Sequence, residues 1–196
     1  MKKVIDISEH NGYIDFSKLK NSGIEGVIIR VGWLGNHNNH YLDSYFEDYY
    51  NKAKDLGLDI GFYVFSYCQS EEAIQSGIEW TYSKIQGKTC NLGVYLDLED
   101  DENSSTKISI IGKEALTNQA IIFCNYFTNK GMLAGVYASK DWFTRLIDVN
   151  LLERYKIWLA EWYVGKPSVS FRVDIWQYTN KEKVDGVYSP LYRLWL

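Results

Sequence analysis

Short apolar runs recur along the chain, separated by longer stretches whose apolar residues repeat at helical spacing. The runs at residues 3–8, 26–32, 60–67, 93–99, 133–139, 156–162 and 173–179 read as strands. Gly26-Val27-Ile28-Ile29-Arg30-Val31-Gly32 is apolar almost throughout, the pattern of a strand covered on both faces in a parallel sheet. Residues 15–21, 42–56, 70–85, 108–130 and 141–147 read as helices. Gly23, Gly57 and Gly131 stop three of them, and Glu71 and Glu72 sit in the first turn of another. This alternation predicts an α/β fold with a mostly parallel sheet, closed as a barrel. No internal repeat, linker or low-complexity segment interrupts it, so residues 1–196 are expected to form a single domain.

One run stands out within that pattern. Gly93-Val94-Tyr95-Leu96-Asp97-Leu98-Glu99-Asp100-Asp101-Glu102 starts as an apolar strand and ends in five acids within six positions. Alternation along a strand sends Asp97 and Glu99 the same way, with Cα atoms about 6.6 Å apart. Two carboxylates on one face repel, and burial raises at least one pKa, so one becomes a proton donor while its neighbour stays ionised. The alternative is an acidic strand-to-helix loop whose carboxylates are merely solvated. Other strands end in related residues: Asp6, then Tyr63 and Tyr67, then Tyr137, Glu161 with Trp162, and Gln177 with Tyr178. In a parallel barrel these converge on one rim, carboxylates at the centre and aromatics around them. Such an acidic, aromatic, metal-free cleft suits a glycosidase, whose acid protonates the leaving oxygen while carboxylates stabilise an oxocarbenium-like transition state.

Composition narrows the options. A net charge of −4 argues against nucleic acid as the main partner. Aromatics make up 16% of the 196 residues, with 16 Tyr and 7 Trp, a surplus that suits flat, partly polar ligands. Cys68, Cys90 and Cys124 show neither disulfide nor zinc spacing. Of the imidazoles, His37 and His40 lie in the polar run Gly35-Asn36-His37-Asn38-Asn39-His40 and are expected at the surface, leaving His10. Neither a metal nor a cofactor is expected. No apolar stretch reaches the length of a membrane span, and the N-terminus turns acidic at Asp6 before any signal-like run develops. The chain is therefore expected to be made in the cytoplasm without a signal peptide or membrane insertion.

The sequence resembles the family 25 glycoside hydrolases, the lysozymes (N-acetylmuramidases) found among phage endolysins and bacterial autolysins. The resemblance is carried by Val4-Ile5-Asp6-Ile7-Ser8, Asn11-Gly12-Tyr13-Ile14-Asp15-Phe16, Gly26-Val27-Ile28-Ile29-Arg30, Gly57-Leu58 with Gly61-Phe62-Tyr63-Val64-Phe65, and Tyr95-Leu96-Asp97-Leu98-Glu99. Gly135-Val136-Tyr137-Ala138-Ser139, Ile157-Trp158-Leu159-Ala160, Trp176-Gln177-Tyr178-Thr179 and Val184-Asp185-Gly186 continue it in order. It implies an irregular, flattened, TIM-like β/α barrel that hydrolyses the β-1,4 bond between N-acetylmuramic acid and N-acetylglucosamine of bacterial peptidoglycan. By position Glu99 would be the acid/base and Asp97 the assisting carboxylate. Asp6 would be the acid closing the first strand, and Tyr63, Tyr137, Trp162 and Gln177 would line the sugar cleft. An acetamido-assisted, retaining route fits the Asp-x-Glu arrangement. The sequence departs from the family pattern near its end, where Tyr192 stands at the place of a further Asp. A weakened saccharide-binding module on the same scaffold is the alternative, and a metal-dependent deacetylase or amidase is disfavoured by the lack of convergent histidines. Action on the extracellular cell wall would then follow phage-type release.

Overall fold

The computed structural model describes residues 2–189 and the backbone of residues 191–195. Among these described residues, nine strands form one sheet: β1 (Lys3–Ile7), β2 (Gly26–Leu34), β3 (His40–Leu42), β4 (Asp59–Ser66), β5 (Gly93–Asp97), β6 (Ala134–Ser139), β7 (Lys156–Ala160), β8 (Ile175–Glu182) and β9 (Leu191–Trp195). Their order is β1-β9-β8-β7-β6-β5-β4-β2-β3, and an added β1–β2 pairing closes the ring. Every pairing from β1 through β2, β4, β5, β6 and β7 to β8 is parallel, whereas β9 runs antiparallel to both β8 and β1. The expected irregular β/α barrel is therefore the fold.

Helices α1 (Phe16–Asn21), α2 (Phe46–Asp55), α3 (Glu71–Ile85), α4 (Gly112–Asn129) and α5 (Lys140–Arg145) cover its outside. Their starts follow from local chemistry. The side chains of Asp15, Ser70 and Ser139 accept the backbone N–H of Lys18, Ala73 and Trp142, each satisfying a donor that the first helical turn leaves free. α4 buries Leu116, Ala120, Phe123 and Phe127, a stripe at helical spacing that packs on the sheet. Among the described residues, no α-helix joins β7 to β8 or β8 to β9, and the barrel is irregular for that reason.

Two strands lie outside the seven expected from sequence. β3 arises because His37 (φ 55°) and Asn38 (φ 60°) adopt left-handed backbone and turn the chain back along β2. The return is close: a Cβ on Gly32 would meet the Tyr41 carbonyl oxygen at 1.7 Å. β9 comes from the tail beyond the last run that carries a clear strand pattern. The second helix starts at Phe46 rather than at residue 42, because β3 uses residues 40–42 and Asp43 is turned inward, 2% exposed.

The apolar interior has two parts. A large layer fills the space between sheet and helices. A smaller cluster fills the barrel itself: Val4, Ile28, Leu92, Tyr95, Tyr137, Trp158, Ala160 and Ile175, with Tyr63 packed against it. Trp158 is its centre. Tyr137, Tyr95 and Tyr63 meet its indole at steep angles, with centroids at 4.8, 5.4 and 6.0 Å. Edge-to-face pairs of this kind are each worth about 0.5–1.5 kcal/mol beyond area burial. They make a rigid floor for whatever lies above.

Candidate active site

Parallel strands present their carboxyl ends on one side of the barrel, so residues in phase along neighbouring strands gather at one rim. β1 brings Asp6 there, and β5 brings Asp97. Asp97 is in register with Tyr137 on β6, which is in register with Trp158 on β7. β5 ends at Asp97, one turn of alternation earlier than expected, but Leu98 N–H still donates to the Tyr137 carbonyl at 3.0 Å. The chain therefore alternates for one more residue. Leu98 is fully buried in the apolar layer, and Glu99 joins Asp97 in the cleft wall.

The cleft measures about 750 Å³, and Asp6, Asp97, Glu99, Tyr63, Tyr137 and Gln177 all line it. Gln177 ties its parts together. Its Nε2 donates to Asp6 Oδ2 at 3.0 Å, while its Oε1 accepts from the Tyr137 hydroxyl at 3.1 Å and from Trp162 Nε1 at 2.9 Å. Two donors on the oxygen fix the amide's orientation and leave the nitrogen for the carboxylate. Trp162 thus stands behind Gln177 at the rim, outside the residues that line the cavity.

Burial governs the electrostatics. Desolvation, with Asp101 adding repulsion, pushes the Glu99 carboxyl up to about 7. Desolvation likewise raises Asp6 to about 8, against the hydrogen bond from Gln177 and with some repulsion from Glu99. Asp97 is raised well above the usual carboxylate range by burial first, then by Glu99 and Asp6, with Arg30 opposing. Repulsion between neighbouring carboxylates is thus the smaller cause and enclosure the larger. Asp97 and Glu99 titrate as a unit, holding a proton near neutral pH. Among the described residues, Asp97 Oδ1 and Trp158 Nε1 are buried atoms of this wall without a hydrogen-bond partner. An acceptor and a donor are therefore left for a ligand, since orphaned buried polar groups are costly.

Arg30 and Trp158 belong to the wall and were given no role from sequence. Arg30 Nε donates to Asp43 Oδ2 at 2.8 Å and Nη2 to Glu9 Oε1 at 2.9 Å, so its charge is largely spent on these two acids. Its Nη1 lies 3.2 Å from His10 Nε2, which must be the acceptor because a guanidinium has only donors. A lone cation inside an otherwise apolar strand was the available signal for Arg30. For Trp158 it was the register with Tyr137, which the sequence does not print.

Like Trp162, which was expected to line the sugar cleft, two more residues placed at the rim from sequence do not line the cavity. Glu161 is turned aside: its carboxylate accepts from Lys140 Nζ at 3.0 Å and from Ser168 N–H at 2.7 Å, which holds it below the usual carboxylate range despite burial. Tyr178 follows Gln177 on β8 and faces the other side, packing on Trp176 with centroids 5.7 Å apart. Tyr67 does line the cleft, its hydroxyl donating to Asp101 Oδ2 at 2.8 Å. Tyr192 lies outside the described residues as a side chain, although the backbone register sets it opposite Asp6. A second hollow, about 800 Å³, lies between α5 and residues 168–172, and the carboxylate trio has no part in it. Among the described residues, no group of three or more His, Cys, Asp or Glu is arranged to hold a metal ion, and no helix is long and apolar enough to cross a membrane.

Comparison with known proteins gives a consistent picture. Residues 5–187 match the model for Glycosyl hydrolases family 25. The "Autolytic lysozyme" of Clostridium acetobutylicum is 28% identical over 185 residues, which cover 94% of this chain and 52% of that protein. The chain thus spans about half the length of the curated relative it matches. Among solved structures, the CTP1L endolysin superposes with a TM-score of 0.81 at 25% identity, covering 100% of this chain and 66% of its own. The bacterial lysozyme from Streptomyces coelicolor shares the fold with a TM-score of 0.80 at 21% identity, over 98% of this chain and 90% of its own.

Proposed function

Because the chain belongs to glycosyl hydrolase family 25, we propose that it is a lysozyme that cleaves the β-1,4 bond between N-acetylmuramic acid and N-acetylglucosamine in bacterial peptidoglycan. The observation that carries this reading is the enclosed trio of Asp6, Asp97 and Glu99 over an aromatic floor, with the Glu99 carboxyl raised to about 7. A group in that range is a competent proton donor near neutral pH.

In the proposed reaction the muramic acid ring sits beside Asp97 and its glycosidic oxygen faces Glu99. The substrate's acetamido N–H donates to Asp97 Oδ1, the acceptor left without a partner. That hydrogen bond favours the ionised form of Asp97 and leaves the pair's proton on Glu99. Glu99 gives this proton to the leaving oxygen while the acetamido oxygen forms a bond to the anomeric carbon. Water then opens the ring so formed, its proton returning to Glu99, and the configuration is retained. Because the nucleophile belongs to the substrate, the separation rule for paired carboxylates does not apply. Asp6, held by Gln177, adds to the negative field that stabilises the oxocarbenium-like state. The relatives named as lysozyme and endolysin support the cell wall as the place of action. Phage-type release, and residues 1–196 as one catalytic unit, are part of the same proposal.

The test is digestion of purified peptidoglycan, with and without a chelator, followed by borohydride reduction of the new reducing ends. Reduced muramic acid at equal yield in both arms is expected. Reduced glucosamine, chelator-sensitive release, or binding without new ends would each overturn the assignment.

A further inference from the structure

At the rim of the barrel, beyond β7, Trp162, Tyr163 and Val164 form an exposed knuckle, with Tyr163 68% and Trp162 37% exposed. Tyr163 holds a left-handed backbone at φ 60°, a conformation that a bulky residue adopts only at a cost. The loop is nevertheless tightly fastened. Tyr163 N–H donates to the Tyr178 carbonyl at 3.2 Å, Glu161 N–H to the Gln177 carbonyl at 3.2 Å, and Trp176 Nε1 to the Glu161 carbonyl at 2.8 Å. Glu161, the acid that left the cleft, clamps the loop's far side through Lys140 and Ser168.

The knuckle is continuous with the cleft. The Tyr163 hydroxyl donates to Asn180 Oδ1, and Asn180 lines the cavity that holds the carboxylate trio. Trp162 reaches the same cavity through Gln177. A fold gains nothing by keeping a large aromatic ring in strained backbone and mostly in water. A fixed ring at the mouth of a sugar cleft does have a use, because a pyranose presents an apolar C–H face that stacks on it.

We propose that Tyr163 is a stacking platform for a hexosamine ring of the glycan strand as it leaves the cleft, an outlying saccharide site beyond the bond that is cut. The inference rests on the lysozyme reading given above. It makes Tyr163 a determinant of chain length: the site fills only when the glycan extends past the central sugars.

The experiment compares wild type, Tyr163→Gly and Tyr163→Phe on solubilised glycan strands of graded length. Glycine suits φ 60°, so Tyr163→Gly should unfold at a temperature no lower than wild type, which separates loss of binding from loss of fold. Its KM on long strands should rise about two- to tenfold, the worth of one aromatic contact, with the loss on KM rather than kcat. The rise should vanish on the shortest strands cleaved. Tyr163→Phe keeps the ring and should recover the wild-type KM. An unchanged KM for the folded glycine variant would overturn the inference, and so would a phenylalanine variant as impaired as glycine. Wild-type turnover measured in the same assay keeps these outcomes distinct from failure of the lysozyme reading, which would show as no cleavage at any length.

Discussion

Replacing Glu99 by glutamine removes a buried acid while keeping its shape, and its effects on activity and stability should have opposite signs. The carboxyl is raised from 4.5 to about 7 in the fold, chiefly by burial. The folded state therefore binds this proton more tightly than the unfolded chain does. Below pH 4.5 both states are protonated and the site costs nothing. As pH rises from 4.5 to 7 the unfolded chain ionises first, and stability falls. Above pH 7 the full cost, about 3 kcal/mol, is in place. Glu99→Gln escapes this cost. Its melting temperature should match wild type at pH 4 and exceed it by about 6–12 °C at pH 8, at about 2–4 °C per kcal/mol for a chain of this size. Turnover should fall about 10²–10⁴-fold, the usual worth of general acid catalysis. Near-UV circular dichroism melts at the two pH values, with reducing-end release from cell walls, measure both. A stability gap that does not widen with pH would refute the buried-acid argument, and a variant with half the wild-type rate would refute the catalytic one.

Other substitutions probe the surrounding field. In the proposed substrate complex Asp97 is the ionised partner, so Asp97→Asn removes a like charge from beside Glu99 and the alkaline limb of the kcat–pH profile should move to lower pH; a limb that stays or rises means the two are not coupled. Arg30→Met leaves the fully enclosed Asp43 side chain without its cation and should cost about 3–5 kcal/mol in urea unfolding, part of it recovered when Asp43→Asn is added; no recovery would mean that lost packing sets the cost. Tyr192→Asp places a further acid opposite Asp6 in the strand register, which should raise the pKa of its neighbours and shift the activity optimum upward; overlapping profiles from two folded proteins would put position 192 outside the cleft.

The seven parallel strands were legible because each is a short apolar run bounded by glycine or polar residues. What stayed hidden depends on partners distant in sequence. β3 needs two non-glycine residues in left-handed backbone, which composition does not announce. Asp97 and Glu99 were readable as a pair because strand alternation is a local rule, and it held although the strand stops at Asp97. Glu161 obeyed the same rule of position and still left the cleft, because Lys140 and Ser168 offered it charge and donors outside. Sequence could also name repulsion as a source of raised pKa but not enclosure, which depends on how completely the aromatic floor seals beneath the acids.

The antiparallel course of β9 has a consequence for how this barrel can be joined to other things. β9 starts beside Asp6 at the catalytic rim and runs down to Trp195, which pairs with Lys3 at the opposite rim. Both ends of the barrel's backbone thus come out side by side on the face turned away from the substrate. Any tether added there would hang below the barrel and leave the groove open to a polymer many times its size. A circular permutant linked at that seam should need only a few residues to bridge it, with new termini opened in a surface loop at no cost to the cleft.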